Sequence, residues 1–187
     1  MAEKLNVVMV CGSLRKASYN RSVMQALPAL APEGMTLTEA PSYAGFPHYN
    51  YDLHADGKFP ADVEAWCDAI RKADGVVFVS PEFNWSIPAP MKNAIDWCSK
   101  VKDVPFKDKP VAIQSASTGP MGGSRMQYHL RMALTTIEAI IFAKPEVIVS
   151  MAQNKINDKG ELTDETTRKI IGTQLAAFAR FIVRVRD

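Results

Sequence analysis

The chain has 187 residues, enough for one domain with a full core. Apolar residues make up 47% and charged residues 22%, the balance of a soluble globular protein. A net charge of +2 gives no strong electrostatic reason to bind nucleic acid or acidic membranes, and no stretch approaches the length of a membrane span.

Val7 to Cys11 is a short apolar run bounded by Gly12, which predicts a buried strand. Lys4, the run from Leu5 and Cys11 faintly resemble a lipoprotein signal, but that run is short and contains Asn6, so the strand is the better assignment. Ser13 to Tyr19 form a hydroxyl-rich basic loop. Asn20 or Ser18 can cap the helix that follows, with Val23, Ala26, Leu27 and Leu30 on one face and Pro28 forcing a kink or an early end. Such a strand, loop and helix N-terminus make an anion site, because the first helical amides lack internal partners. Ser13, Ser18 and Asn20 add side-chain donors, and Arg15 can fork onto phosphate oxygens. The stretch has neither G-x-x-x-x-G-K-[ST] nor G-x-G-x-x-G, so it favours a mononucleotide such as FMN over a triphosphate or a dinucleotide. A polar surface loop beside a capped helix is the competing interpretation of this stretch alone.

Met35 to Ala40 alternates and predicts a second strand. Pro41 to Pro60 is a long connection carrying Phe46, Tyr49, Tyr51 and Phe59, aromatic rings that either meet another subunit or pin the loop to its own domain. Asp62 to Lys72 reads as a helix with Val63, Trp66 and Ile70 inward, and Val76 to Ser80 as a buried strand. Pro81 to Pro90 holds three of its prolines after Ser80 within ten residues, which stiffens the loop and exposes its backbone. The next helix has Met91, Ile95 and Cys98 inward and Lys92, Asp96 and Lys100 outward. Pro110 to Ser117 predicts a further strand, followed by the glycine-rich turn Thr118 to Arg125 and a helix with Leu130, Leu134 and Ile137 as its core face. Phe142 to Ser150, interrupted by Pro145, is the last strand. The final helix begins at Thr163, a candidate cap, and buries Ile170, Ile171, Gln174, Leu175, Phe178 and Phe181.

These alternating elements predict an α/β fold with a doubly wound parallel sheet, in which ligands bind beyond the carboxyl ends of the strands. The loops Gly12 to Tyr19, Pro81 to Pro90 and Thr118 to Ser124 would converge on that one edge. The three cysteines, Cys11, Cys67 and Cys98, show no C-x-x-C spacing and read as small buried hydrophobes. His48, His54 and His129 show no ligand spacing, so no metal site is expected. Cysteine usage and the lack of an export signal suggest a cytoplasmic protein.

Gly12 to Asn20, Pro81 to Pro88 (Pro-Glu-Phe-Asn-Trp-Ser-Ile-Pro) and Lys92 to Trp97 (Lys-Asn-Ala-Ile-Asp-Trp) resemble the NADPH-dependent FMN reductase family, its bacterial chromate, quinone and azo-dye reductases most of all. The resemblance runs through nearly the whole chain. It implies a flavodoxin-like five-stranded sheet in the order 2-1-3-4-5, bound FMN, and dimers or tetramers. It also implies NAD(P)H as transient electron donor and ping-pong transfer to small-molecule acceptors such as quinones, chromate or azo compounds. By that likeness Ser13, Arg15, Ser18 and Asn20 would hold the FMN phosphate. Pro81, Glu82, Phe83 and Asn84 would line the isoalloxazine ring, largely through backbone groups, and Ser117 would touch its other side. Phe83 stands where the family commonly has tyrosine and Thr118 where it commonly has proline. The flavin would carry the chemistry, with no dedicated catalytic acid or base. Arg125 is a candidate for the acceptor side or an ordinary surface arginine. Tyr128 and Glu146 are candidates for polar subunit contacts, and Glu82 for an electrostatic role near the flavin or a subunit contact. The alternatives are a flavodoxin-type electron carrier, a dinucleotide dehydrogenase with Glu39 gripping a ribose, and a cofactor-free binding module.

Overall fold

Alternate residues of each central strand face opposite ways, and the apolar ones on both faces find apolar partners. In the computed structural model, which describes residues 3–186, strand β1 spans Leu5–Cys11, β2 Met35–Glu39, β3 Gly75–Ser80 and β4 Pro110–Ala116. Val7, Met9 and Cys11 of β1, with Val77 and Val79 of β3, pack on one face of the sheet; Val8, Val10, Val76 and Phe78 pack on the other. Both faces are covered, so the strands read as continuous apolar runs rather than alternating ones.

The sheet is parallel throughout. Leu5 pairs with Met35, Val7 with Gly75 and Val76 with Val111, giving the order β2-β1-β3-β4. Beyond β4 the expected single last strand is two short pieces, β5 (Ile140–Ile141) and β6 (Val147–Val149), which pair with successive stretches of β4. Pro145 lies between them and has no N–H to donate to a ladder. The flavodoxin-like order 2-1-3-4-5 holds, with its last position broken in the middle.

Helix α1 (Tyr19–Ala26) and the long α5 (Glu165–Arg186) cover one face; α2 (Ala61–Lys72), α3 (Ala89–Cys98) and α4 (Ser124–Thr136) cover the other. Helix α1 stops before Pro28, and Pro28–Leu30 continues as a single 3₁₀ turn. Helix α5 is capped by Asp164 rather than Thr163. The Asp164 carboxylate accepts from the Thr167 N–H at 2.9 Å, while the Thr163 hydroxyl points back to the Lys155 carbonyl. The expected buried stripe of α5 holds at Ile171, Gln174, Leu175 and Phe178, but Ile170 is exposed because it lies one residue off that face. No helix among the described residues is long and apolar enough to cross a membrane.

The Pro41 to Pro60 connection is pinned to its own fold. Tyr49, His54 and Phe59 surround the buried Trp97 ring at centroid distances of 5.1, 5.6 and 6.2 Å. Asn93 accepts from the Tyr49 N–H, and Asn93 and Trp97 both donate to the Pro47 carbonyl. Phe46 meets Trp66 edge-on, and only Tyr51 of the four rings remains largely in solvent.

Candidate functional site

Parallel strands bring their carboxyl ends to one edge, so the loops after β1, β3 and β4 meet there. The first loop begins with a close approach. A Cβ on Gly12 would lie 2.1 Å from Ser80 Oγ and 2.9 Å from Ser80 Cα, so only glycine lets β1 leave the sheet this near β3. Ser18 caps α1 by accepting from the Arg21 N–H at 3.0 Å, and Ser13 Oγ accepts a longer 3.4 Å bond from the Arg15 N–H. Both serines are buried; among the described residues the Ser13 hydroxyl has no recorded acceptor, while the Ser18 hydroxyl lies beside the Cys11 sulfur. The first-turn amides of Tyr19 and Asn20 find no carbonyl among the described residues, as expected at a helix start. Arg15 and Lys16 are exposed beside them and form no ion pair among the described residues.

Two polar side chains at the start of α1 are engaged elsewhere. Arg21 turns away to pair with Glu39 at 2.9 Å, which also occupies the carboxylate considered for a ribose. The buried Asn20 carboxamide reaches across to the end of β4. It donates to the Ala116 carbonyl and accepts from the Ala116 N–H, both at 2.9 Å. Asn20 therefore joins the first loop to the third. The second amide proton has no recorded acceptor among the described residues.

The Pro81 to Pro90 loop is tighter than its prolines suggest. Phe83 and Ser86 exchange two backbone hydrogen bonds, at 3.0 and 2.9 Å, around Asn84 and Trp85. Both central residues have positive φ, 47° and 67°, the backbone of a two-residue hairpin turn in which asparagine is favoured and tryptophan is unusual. The turn lifts Phe83 and Trp85 into solvent, 54% and 66% exposed. The Ser86 hydroxyl lies 3.0 Å from His129 Nδ1 on α4.

Glu82 does not point outward. Its side chain is 12% exposed; one carboxylate oxygen accepts from the Met126 N–H at 3.1 Å, and the other meets Arg125 at 3.3 Å. An anion on first-turn amides of α4 satisfies otherwise unpaired donors and complements the helix dipole. Arg125 is held from both sides, since its guanidinium also lies 4.4 Å from the centre of the Trp85 ring. Ahead of α4, Gly122 and Gly123 take positive φ, and a Cβ on Gly122 would strike Ile148 at 2.5 Å. Ser117, half-buried, donates weakly to the Gly119 carbonyl at 3.4 Å. Gln127 bonds Ser115 and the Val147 carbonyl, fastening α4 to the β4 and β6 ends.

The edge is thus one built surface: Asn20 links the first and third loops, and Glu82 links the second to α4. Burial pushes the Cys11 thiol up, and burial likewise raises the Tyr43 hydroxyl, which donates to the Cys11 carbonyl at 2.6 Å. The hollow beside those two groups and Arg21 is about 120 Å³, and a second one, about 420 Å³, lies beside Lys16, Ala17 and Tyr19 of the first loop. Among the described residues no three His, Cys, Asp or Glu side chains come together as metal ligands.

The model of the NADPH-dependent FMN reductase family matches residues 5–154, from the first strand through the end of the sheet. The chain belongs to that family. A quinone reductase of Escherichia coli is 47% identical over 187 residues, covering all of both chains. An NAD(P)H-dependent FMN reductase of Pseudomonas aeruginosa is 41% identical over 186 residues, again covering all of both. Among solved structures, the flavoenzyme NAD(P)H:(acceptor) oxidoreductase FerB of Paracoccus denitrificans superposes with a TM-score of 0.86 at 32% identity, covering 96% of this chain and 98% of the other. The matched residues include all three loops gathered at this sheet edge.

Sequence reasoning missed the second-loop hairpin, because its signal is usually Asn-Gly and here is Asn-Trp. It missed the Glu82 cap as well. The acidic residue lies 44 residues before the amide it caps, so no local capping pattern could reveal it.

Proposed function

We propose that this chain is an FMN-dependent NAD(P)H:quinone oxidoreductase. The observation that carries the reading is the first loop: two buried serines, first-turn α1 amides without a carbonyl partner among the described residues, and two exposed cations within one short stretch. That donor set suits a phosphate monoester and lacks the extra glycines a pyrophosphate needs. FMN, when bound, supplies two-electron chemistry, accepting a hydride from NAD(P)H and reducing an acceptor in turn.

The chain's own residues bind and orient. Ser13, Ser18, Arg15 and the remaining Asn20 proton hold the phosphate. Pro81 to Asn84 present backbone to the ring, and Ser117 bounds its far side. Because the Glu82 carboxylate is committed to α4, its part is to fix the second loop against the third. Arg125, stacked on Trp85, offers the positive surface toward an anionic acceptor, and chromate and azo compounds belong with quinones as candidates. The exposed Phe83, Trp85, Met121, Tyr128 and Met132 favour a homodimer or homotetramer in which another copy covers this edge.

The test is the visible spectrum of the purified protein, before and after anaerobic NADPH and then a quinone. A flavin spectrum that bleaches and returns, with parallel initial-rate lines, supports the reading. Arg15→Ala should weaken FMN by tenfold or more and leave riboflavin unchanged. A colourless protein that takes up no FMN refutes it. A flavin protein that oxidises NADPH only slowly supports the electron-carrier alternative.

A further inference from the structure

Away from the loop edge, two buried cysteines lie side by side. Cys67 on α2 and Cys98 at the end of α3 place their sulfurs 2.8 Å apart, and both side chains are fully buried. Both thiols are reduced here. We propose that Cys67 and Cys98 are a modification site, oxidised by a small peroxide to an intramolecular disulfide that staples α2 to α3.

Three features carry this. The sulfurs already touch, so the bond needs only a small approach of two packed helices rather than a rearrangement of the chain. Cys67 also forms part of the floor of a surface hollow of about 340 Å³, bordered by Gly57, Phe59, Asp68 and Arg71. The Cys67 side chain is fully buried, so an oxidant in the hollow reaches the sulfur only when the packing around it opens briefly, which favours a small peroxide over a bulky one. Finally, the third cysteine is no competitor. Cys11 packs in the core on the opposite face of the sheet, with the strands between it and the pair.

The chemistry balances with hydrogen peroxide. Cys67 sulfur attacks one peroxide oxygen; the O–O bond breaks, and a sulfenic acid and one water form. Cys98 sulfur then displaces the hydroxyl as a second water, and the S–S bond closes. Two S–H bonds are lost and the peroxide takes both electrons. Burial holds the Cys98 thiol well above its ordinary range, and its hydrogen bond with Cys67 adds to that. The second step is therefore slow, which fits a protective staple better than a rapid signal. Cys98 lies at the opposite end of α3 from Ala89, roughly 14 Å along the helix from the second loop, so the bond should leave the loop edge unmoved.

The experiment treats the whole purified protein with millimolar hydrogen peroxide, quenches it, unfolds it and alkylates it for mass mapping. The expected result is one alkylated cysteine, Cys11, and a Cys67–Cys98 linked peptide 2 Da lighter than its two thiol peptides. The melting temperature should rise by about 5–10 °C and return with a thiol reductant. The variant Cys67→Ala/Cys98→Ala should show no peroxide-dependent shift; the peptide map of the unmodified sequence decides the matter even if that variant folds poorly. Three alkylated cysteines after treatment, oxygen added to Cys67 or Cys98 without a link, or a link between chains would each overturn the proposal.

Discussion

Replacing Gly12 by alanine is the sharpest perturbation of the loop edge, because one methyl group enters a space the fold does not have. The new Cβ would lie 2.1 Å from Ser80 Oγ, 2.5 Å from Ser80 Cβ and 2.9 Å from Ser80 Cα. Comfortable carbon contacts begin near ~3.5 Å, so the ends of β1 and β3 must part by roughly 1 Å. The Ser80 hydroxyl can rotate away, but its Cα is backbone and cannot. Overpacking of this kind costs about 1–3 kcal/mol, and the backbone clash argues for the upper half of that range. A loss of ~2–3 kcal/mol lowers the folding constant roughly 30- to 150-fold. The strain also opens the Gly12 N–H to Val79 carbonyl bond, now 2.8 Å, and so displaces the first loop with it. Urea unfolding of Gly12→Ala measures the stability term, and FMN titration by fluorescence measures the loop term. Adding Ser80→Gly removes two of the three clashing atoms, so the double variant should recover more than half of both losses. Ser80→Gly alone should cost only about 0.5–1 kcal/mol. A Gly12→Ala protein as stable as the parent, with unchanged FMN affinity, would refute the close-approach argument. So would a double variant showing simple additivity.

Glu82→Ala should destabilise the fold by about 1–2 kcal/mol, since it strips the cap from α4 and frees Arg125; Glu82→Gln, which keeps an acceptor, should lose about half as much in the same urea assay. Asn20→Ala should cost about 2–4 kcal/mol, because it orphans the buried N–H and C=O of Ala116, whereas Ser22→Ala, one step along α1, should cost under about 1 kcal/mol. Asp164→Ala should lose about 1 kcal/mol at pH 7 through the α5 cap. Hydrogen bonds from the Thr167 hydroxyl and N–H hold the Asp164 carboxyl below its ordinary value, so its stabilisation is complete above the unfolded value near ~3.9 and fades as pH falls through the lower folded value. Melts of parent and variant should therefore converge only once pH falls below that lowered value, and a difference that stays constant with pH would argue against the cap.

Much of the fold was legible in the chain because its signals are local. Continuous apolar runs such as Val76 to Ser80, buried on both faces, can only be central parallel strands, and the helical stripes between them set the winding. Parallel winding in turn sends the loops after β1, β3 and β4 to one edge, so the place of the candidate site was implied by the order of elements. In that stretch, Gly12, the serines and the lack of further glycines favour a single phosphate over a pyrophosphate, beside the plainer interpretation of a polar loop and a capped helix. What only the tertiary structure decided are the partners of polar groups far apart in sequence. Asn20 finds Ala116 across 96 residues, Glu82 finds the start of α4, Arg21 finds Glu39, and Cys67 meets Cys98. Each of those side chains has a plausible local role that its neighbours in sequence would support. Which role prevails depends on what packing brings within about 3 Å, and a hydrogen bond, unlike an apolar stripe, leaves no periodic trace in the chain.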